Sequence, residues 1–136
     1  MKVQPNAKYT ITLGIKGDKC VKAYAKHLPQ KAEGYWLNIS DKGAVIIGND
    51  EKGLFYGVQT LLGSIAKGKL EKGTVTDWPD VDFRGTVEGF YGTPWSHEAR
   101  LSQIAFYGRN KMNTYIYGPK DDPYHRYRWR ENYPTA

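Results

Sequence analysis

The chain is short of cysteine, of long apolar runs and, in its first half, of arginine. Its single cysteine, Cys20, excludes an internal disulfide and leaves the redox compartment open. No segment approaches the roughly 20 consecutive apolar residues of a membrane-spanning helix. Met1-Lys2-Val3-Gln4-Pro5 lacks the apolar stretch of a secretory signal. Residues 1–72 hold twelve lysines, six acids and no arginine; residues 73–136 hold two lysines, six arginines and eight acids. The net charge of +6 therefore lies wholly in the first region, and the shift marks two regions with different surfaces. The lysines stand singly among acids and apolar residues, with no basic run of five. A nucleic-acid binder gathers Lys and Arg on one face, so nucleic acid is not an expected partner. His97 and His125 fit no metal-ligand spacing, and no cofactor or metal is expected.

Aromatic side chains are plentiful, with eleven Tyr and four Trp making most of a 14% share. Aromatic faces stack well on sugars, but a tyrosine-rich core is the plainer account of a raw count. The 40% hydrophobic and 25% charged content is that of an ordinary globular chain.

Lys8 to Ile15 alternates with period two and is rich in β-branched and aromatic residues, which predicts a strand. Val21, Tyr24, Ala25 and Leu28 recur at helical spacing, so Cys20 to His27 reads as a short helix ended by Pro29. Gly34 to Ser40 and Ala44 to Gly48 read as a hairpin around Asp41-Lys42-Gly43. The clearest element is the helix marked by Leu54, Val58, Leu61, Leu62 and Ile65, capped at Asn49-Asp50 and stopped at Gly68. Residues 1–72 thus form a small α+β unit whose three strands make a thin, incomplete sheet. Gly73 to Asp77 reads as a linking strand, and Trp78-Pro79-Asp80 as a boundary. Beyond it come a strand from Phe83 to Tyr91 and a helix capped by Ser96 that runs to about Asn110. Leu101, Ile104, Ala105 and Gly108 share one face of that helix. A second strand follows from Asn113 to Tyr117. Strand–helix–strand is the repeating unit of an α/β fold. After Gly118-Pro119 the chain has no period and reads as a long loop.

Within this second region the residues become specific. The run Arg84-Gly85-Thr86-Val87-Glu88-Gly89-Phe90-Tyr91-Gly92-Thr93-Pro94-Trp95 is followed by Phe106-Tyr107-Gly108-Arg109-Asn110-Lys111-Met112-Asn113-Thr114-Tyr115-Ile116-Tyr117-Gly118-Pro119-Lys120-Asp121-Asp122-Pro123-Tyr124-His125 and then Trp129-Arg130. Over residues 84–134 the chain resembles the start of the catalytic barrel of family 84 glycoside hydrolases. These are the O-GlcNAcases and related bacterial β-N-acetylglucosaminidases, some labelled hyaluronidases. Upstream, Gly48-Asn49-Asp50 and the helix before Trp78-Pro79 are similar to the accessory α+β domain preceding that barrel, most of all in bacterial members. The resemblance implies an accessory domain over 1–77, itself short of N-terminal strands. It implies the start of a (β/α)8 barrel over 78–136, with strands one and two. Such a barrel takes roughly 250 residues, so the expectation is an N-terminal fragment with an incomplete barrel.

The resemblance also implies a retaining, substrate-assisted hydrolysis of β-linked N-acetylglucosamine, among the exceptions to the usual carboxylate nucleophile. The substrate's acetamido oxygen attacks the anomeric carbon, while two adjacent aspartates at the fourth strand assist. No position here matches that pair, so no catalytic residue is expected and the chain alone should be inactive. By the same resemblance, Gly89 offers its carbonyl to a sugar hydroxyl, Tyr91 lines the pocket and Lys120 donates to a hydroxyl. Glycine lets a ligand approach the backbone, and a lysine head carries three donors. Phe90 is expected to point into packing. The expected partner is an N-acetylglucosamine-containing glycan or glycoprotein. The open edges of an incomplete barrel invite self-association. Location is left open, a secreted or periplasmic setting being compatible with the bacterial likeness.

Two acidic features compete for a catalytic reading. Asp121-Asp122 imitates the dyad but follows strand two, so a loop-structuring role is expected, through Arg126, Arg128 or Arg130 or backbone N–H groups. Glu88 lies on the opposite face of its strand from Gly89, and a buried ion pair with an arginine is expected. The alternative function is a non-catalytic carbohydrate- or protein-binding α+β module, which micromolar binding of N-acetylglucosamine oligomers would reveal.

Overall fold

The computed structural model describes residues 8–66, 68, 70–89 and 92–135. The chain divides into two compact units, Met1–Asp80 and Val81–Ala136. In the first, β1 (Thr10–Ile15), β3 (Gly43–Gly48), β2 (Tyr35–Ser40) and β4 (Gly73–Asp77) lie side by side in that order. β1 runs parallel to β3, and β2 runs antiparallel to β3 and β4. Successive strand residues face opposite ways. Tyr35, Leu37 and Ile39, with Ala44 and Ile46, pack on Tyr56 and Leu61 of α1 (Glu51–Ala66). Trp36 and Ile47 face the other way and pack on Val21 and Leu28. Asp50 caps α1, its carboxylate accepting from the Gly53 amide at 2.8 Å.

α1 sits close to the sheet because glycines face it. A methyl on Gly53 would stand 2.3 Å from the Gly34 carbonyl oxygen, whereas one on Gly63 meets nothing within 4 Å. Gly53→Ala is expected to destabilise by about 1–3 kcal/mol despite its better helix propensity. Gly63→Ala should stabilise by about 0.5–1 kcal/mol. Denaturant midpoints of the two variants check this, and shifts of the same sign would contradict it.

The sheet corrects the expectation of three strands. Gly73–Asp77 is no mere link but the fourth strand, registered on β2 from Tyr35↔Asp77 to Ile39↔Gly73. The Tyr35 hydroxyl donates to Asp77 at 3.0 Å, and the Asn38 amide to the Thr74 hydroxyl at 3.1 Å. Five residues are too few to display a buried face, and these contacts are long-range. The expected helix at Cys20–His27 is present as a 3-10 helix, Lys19–His27.

In the second unit, β5 (Gly85–Glu88) and β6 (Thr114–Tyr117) are parallel, joined through α2 (His97–Arg109). Ser96 caps α2 by accepting from the Ala99 amide at 3.2 Å. At the start of the strands, the Asn113 carboxamide oxygen accepts from the Arg84 amide at 3.0 Å, and its nitrogen donates to the Asp82 carbonyl at 2.8 Å. β5 is shorter than the expected Phe83–Tyr91, and Phe90 and Tyr91 lie outside the described residues. The shared apolar face of α2 is not its buried one. Tyr107 is buried, while Leu101 and Ile104 are more than half exposed. Helical spacing identifies an apolar stripe without saying what covers it. The long loop after Gly118 contains a 3-10 turn, Pro123–His125.

Candidate substrate-binding edge

Because β5 and β6 run parallel and in register, their C-terminal ends meet at one edge. Glu88 pairs with Tyr117, and the Gly118 amide donates to the Glu88 carbonyl at 2.8 Å. Gly89 follows beside Gly118: a methyl built on Gly89 would stand 3.9 Å from the Gly118 carbonyl oxygen. Lys120, exposed, lies two residues further on. Gly89 and the Gly118-Pro119-Lys120 segment therefore share one edge, while Tyr91, the third expected contact, lies outside the described residues. Gly92 has φ +119°, in the left-handed region, and Gly89 does not. The turn thus needs its glycine at Gly92, and Gly89 is not glycine for conformational reasons.

Period two divides the strand pair. Thr86 and Glu88 stand opposite Tyr115 and Tyr117, while Val87 stands opposite Ile116. The first set meets α2: the Thr86 and Tyr107 hydroxyls hydrogen-bond, and Glu88 is 3% exposed. Its carboxylate accepts from Arg100 Nε at 2.9 Å and Arg100 Nη2 at 2.8 Å. It also accepts from the Trp95 amide at 2.8 Å and from the Tyr115 hydroxyl. The expected ion pair is present, and its arginine is Arg100. The Arg100 hydrogen bonds outweigh the cost of burial and, with Tyr115 and the Trp95 amide, hold the Glu88 carboxyl at a pKa of about 2. So strong an acid keeps no proton to donate near neutrality, and every donor around it is protein. Burial and the same carboxylate push the Tyr115 hydroxyl up.

Asp122 is likewise buried, at 4% exposure, while Asp121 beside it is exposed. Its carboxylate accepts from the Tyr117 hydroxyl, from the Tyr133 hydroxyl at 2.9 Å and from the Tyr124 amide at 2.8 Å. Burial opposes ionisation of Asp122, but those donors and the His125 amide win, and its carboxyl lies below the ordinary value. Burial and Asp122 together hold the Tyr117 hydroxyl well above its ordinary range. Of the expected partners of Asp122 the backbone N–H is present and the arginines are not: the Tyr124 amide and two tyrosine hydroxyls hold it, while Arg128 pairs with Glu131. With one acid exposed and the other enclosed, Asp121-Asp122 does not present two carboxylates to a substrate. The alternation Tyr115-Ile116-Tyr117 places both tyrosines on the α2 side, a signal that was available in the sequence. Tyr133 had none. Among the described residues no group of three His, Cys, Asp or Glu could hold a metal, and no helix is long and apolar enough to cross a membrane.

The family model for beta-N-acetylglucosaminidase matches residues 84–136, the stretch that builds this edge. The model for glycosyl hydrolase family 20, domain 2, matches residues 3–78, more than half of the chain. The solved structure of CpGH84B is 55% identical, with a TM-score of 0.73 over 78% of this chain and 19% of its own. CpGH84D is 32% identical, with a TM-score of 0.75 over 92% of this chain and 23% of its own. The chain belongs to glycoside hydrolase family 84. Within it, the protein O-GlcNAcase of Rattus norvegicus is 51% identical over 49 residues, covering 36% of this chain. The chain spans 5% of that relative's length. The relatives are named as glycosidases, and in this chain the described residues bring Gly89 and the Gly118–Lys120 segment to one strand edge.

Proposed function

We propose that residues 1–77 are the accessory domain and residues 78–136 the first two strands of a (β/α)8 barrel in a retaining, substrate-assisted glycosidase. Its substrate is β-linked N-acetylglucosamine on a glycoprotein or glycan. In this reading Gly89, through its carbonyl, and Tyr91 and Lys120 contact the sugar, and the catalytic acids come from elsewhere. The observation that carries it is the meeting of Gly89 with the Gly118–Lys120 segment at the C-terminal edge of parallel strands, where such barrels hold their sites. The other face of the pair supports it. Val87 and Ile116, cross-strand partners turned away from α2, are 52% and 53% exposed. Bulky branched residues there suit a barrel interior, and Val87 shares that face with Gly89.

Among the described residues the two buried carboxylates, Glu88 and Asp122, are both occupied by protein donors, and neither is set to give a proton to a glycosidic oxygen. The chain incubated with a chromogenic N-acetylglucosaminide should release no product above the buffer rate. Release at enzyme-like rates would overturn the claim that the catalytic acids lie outside it.

A further inference from the structure

Asp122 is buried in a loop whose neighbours Lys120 and Asp121 are exposed. Burying a carboxylate costs several kcal/mol unless its acceptors are filled, so its surroundings are informative. Its donors come from three places: Tyr117 on the strand before the loop, the Tyr124 amide within it, and Tyr133 in the chain beyond. The Tyr124 and Tyr133 rings pack on each other with centroids 4.8 Å apart. The turn that Asp122 caps lays the His125 ring against Gly118, where a methyl would stand 3.2 Å from Nε2. On the other side, the Tyr117 ring carries the Arg100 guanidinium 4.9 Å from its centroid, and Arg100 holds Glu88 at the end of β5. An unbroken chain of contacts thus runs from the Lys120 loop to the strand end that leads into Gly89.

We propose that Asp122 is a positioning residue: by gathering Tyr117, Tyr124 and Tyr133 it fixes the loop that aims Lys120 at the sugar held against Gly89. A flexible lysine on an untethered loop would reach a hydroxyl in few of its conformations, whereas one two residues from a side chain held by three donors starts from a narrower range of origins. The inference rests on the reading of Gly89 and Lys120 as a sugar-contact edge.

The test is an NMR titration of the 136-residue chain with N-acetylglucosamine, following the Gly89 amide and the Lys120 ε-methylene. The wild type should shift both. Asp122→Asn should weaken binding about three- to tenfold, the worth of one ordinary hydrogen bond, with the Lys120 shift lost at saturation and the Gly89 shift kept. Tyr133→Phe, at a ring already 53% exposed, should act in the same direction with a smaller loss. A folded Asp122→Asn whose Lys120 responds as the wild type overturns the proposal. So does an unaltered Lys120 response in Tyr133→Phe, should Asp122→Asn fail to fold. No shift at either residue in the wild type sinks the sugar-contact reading itself, a separate result from either variant outcome.

Discussion

Glu88→Gln is expected to loosen the second unit by on the order of 3 kcal/mol, the scale for removing one partner of a buried ion pair. Glutamine fills the same space but leaves the Arg100 guanidinium, 27% exposed, without its counter-charge. It also turns an amide N–H2 toward a site already crowded with donors, since the Trp95 amide, Tyr115 hydroxyl and two Arg100 nitrogens all point there. The Gly118 amide, which bonds the Glu88 carbonyl, reports the loss through faster hydrogen exchange. Arg100→Met added to Glu88→Gln should cost less than the two single changes combined, because each single change strands a charge that the pair removes. The pH dependence has a definite sign. Glu88 has a folded pKa of about 2 against an ordinary 4.5, so the unfolded chain takes up the proton first. Its stabilisation is complete above pH 4.5 and is lost as pH falls toward 2. Asp122, also held below its ordinary value, works in the same direction. Denaturation followed into acid should therefore show the wild-type second unit weakening, with Glu88→Gln retaining only the shallower dependence due to Asp122 and the exposed Glu98 and Glu131. Equal acid slopes in both proteins would rule out the Glu88 contribution.

The parts of the fold legible in the sequence were those written in short-range patterns. Gly34–Ser40 and Ala44–Gly48 flank a turn ending in Gly43, and the α1 stripe with its Asp50 cap repeats over three turns, so these elements follow from short-range signals; the faces do so only in part, since Leu62 and Ile65 of the stripe are about half exposed while Tyr56, outside it, is buried. Gly73–Asp77 has too few residues for a pattern, and its place in the sheet comes from Tyr35 and Asn38, more than 30 residues away. For α2, spacing found the apolar stripe of Leu101 and Ile104, but what the helix presents to its strands is Arg100 and Tyr107. A polar network decided the orientation there, and hydrophobic periodicity does not register one. The acids show the same limit. A glutamate facing inward on a strand demands a cation, so an arginine partner for Glu88 was foreseeable. For Asp122 the nearby arginines were the obvious candidates, yet hydroxyls serve a buried carboxylate as well, and the tyrosines sit closer once the loop closes. Gly89 and Lys120 were found by likeness to a family; what the fold adds is that parallel register brings their backbones to one edge.

Gly85→Ala is expected to abolish the second unit while sparing the first. Gly85 pairs with Thr114 at the start of the β5–β6 ladder, and a methyl there would stand 1.6 Å from the Thr114 carbonyl oxygen. That atom is backbone of the partner strand, so no rotamer relieves the overlap; the strands must separate. Each strand has only four residues, and among those described neither pairs with any strand but the other. The cost should therefore exceed the about 1–3 kcal/mol of ordinary overpacking. Hydrogen exchange would show protection lost at Gly118 but kept in the β2–β3 ladder. Gly89→Ala is the control. Its methyl would press at 3.1 Å on the Val87 Cγ1 atom, a side chain able to give way, and would meet the Gly118 oxygen only at 3.9 Å. That variant should keep its Gly118 protection, so a loss of response to N-acetylglucosamine in it measures ligand approach to the backbone and not damage to the strand. A protected Gly118 in Gly85→Ala would mean that the two strands meet in another register. The edge shared by Gly89 and Lys120 would then have to be redrawn.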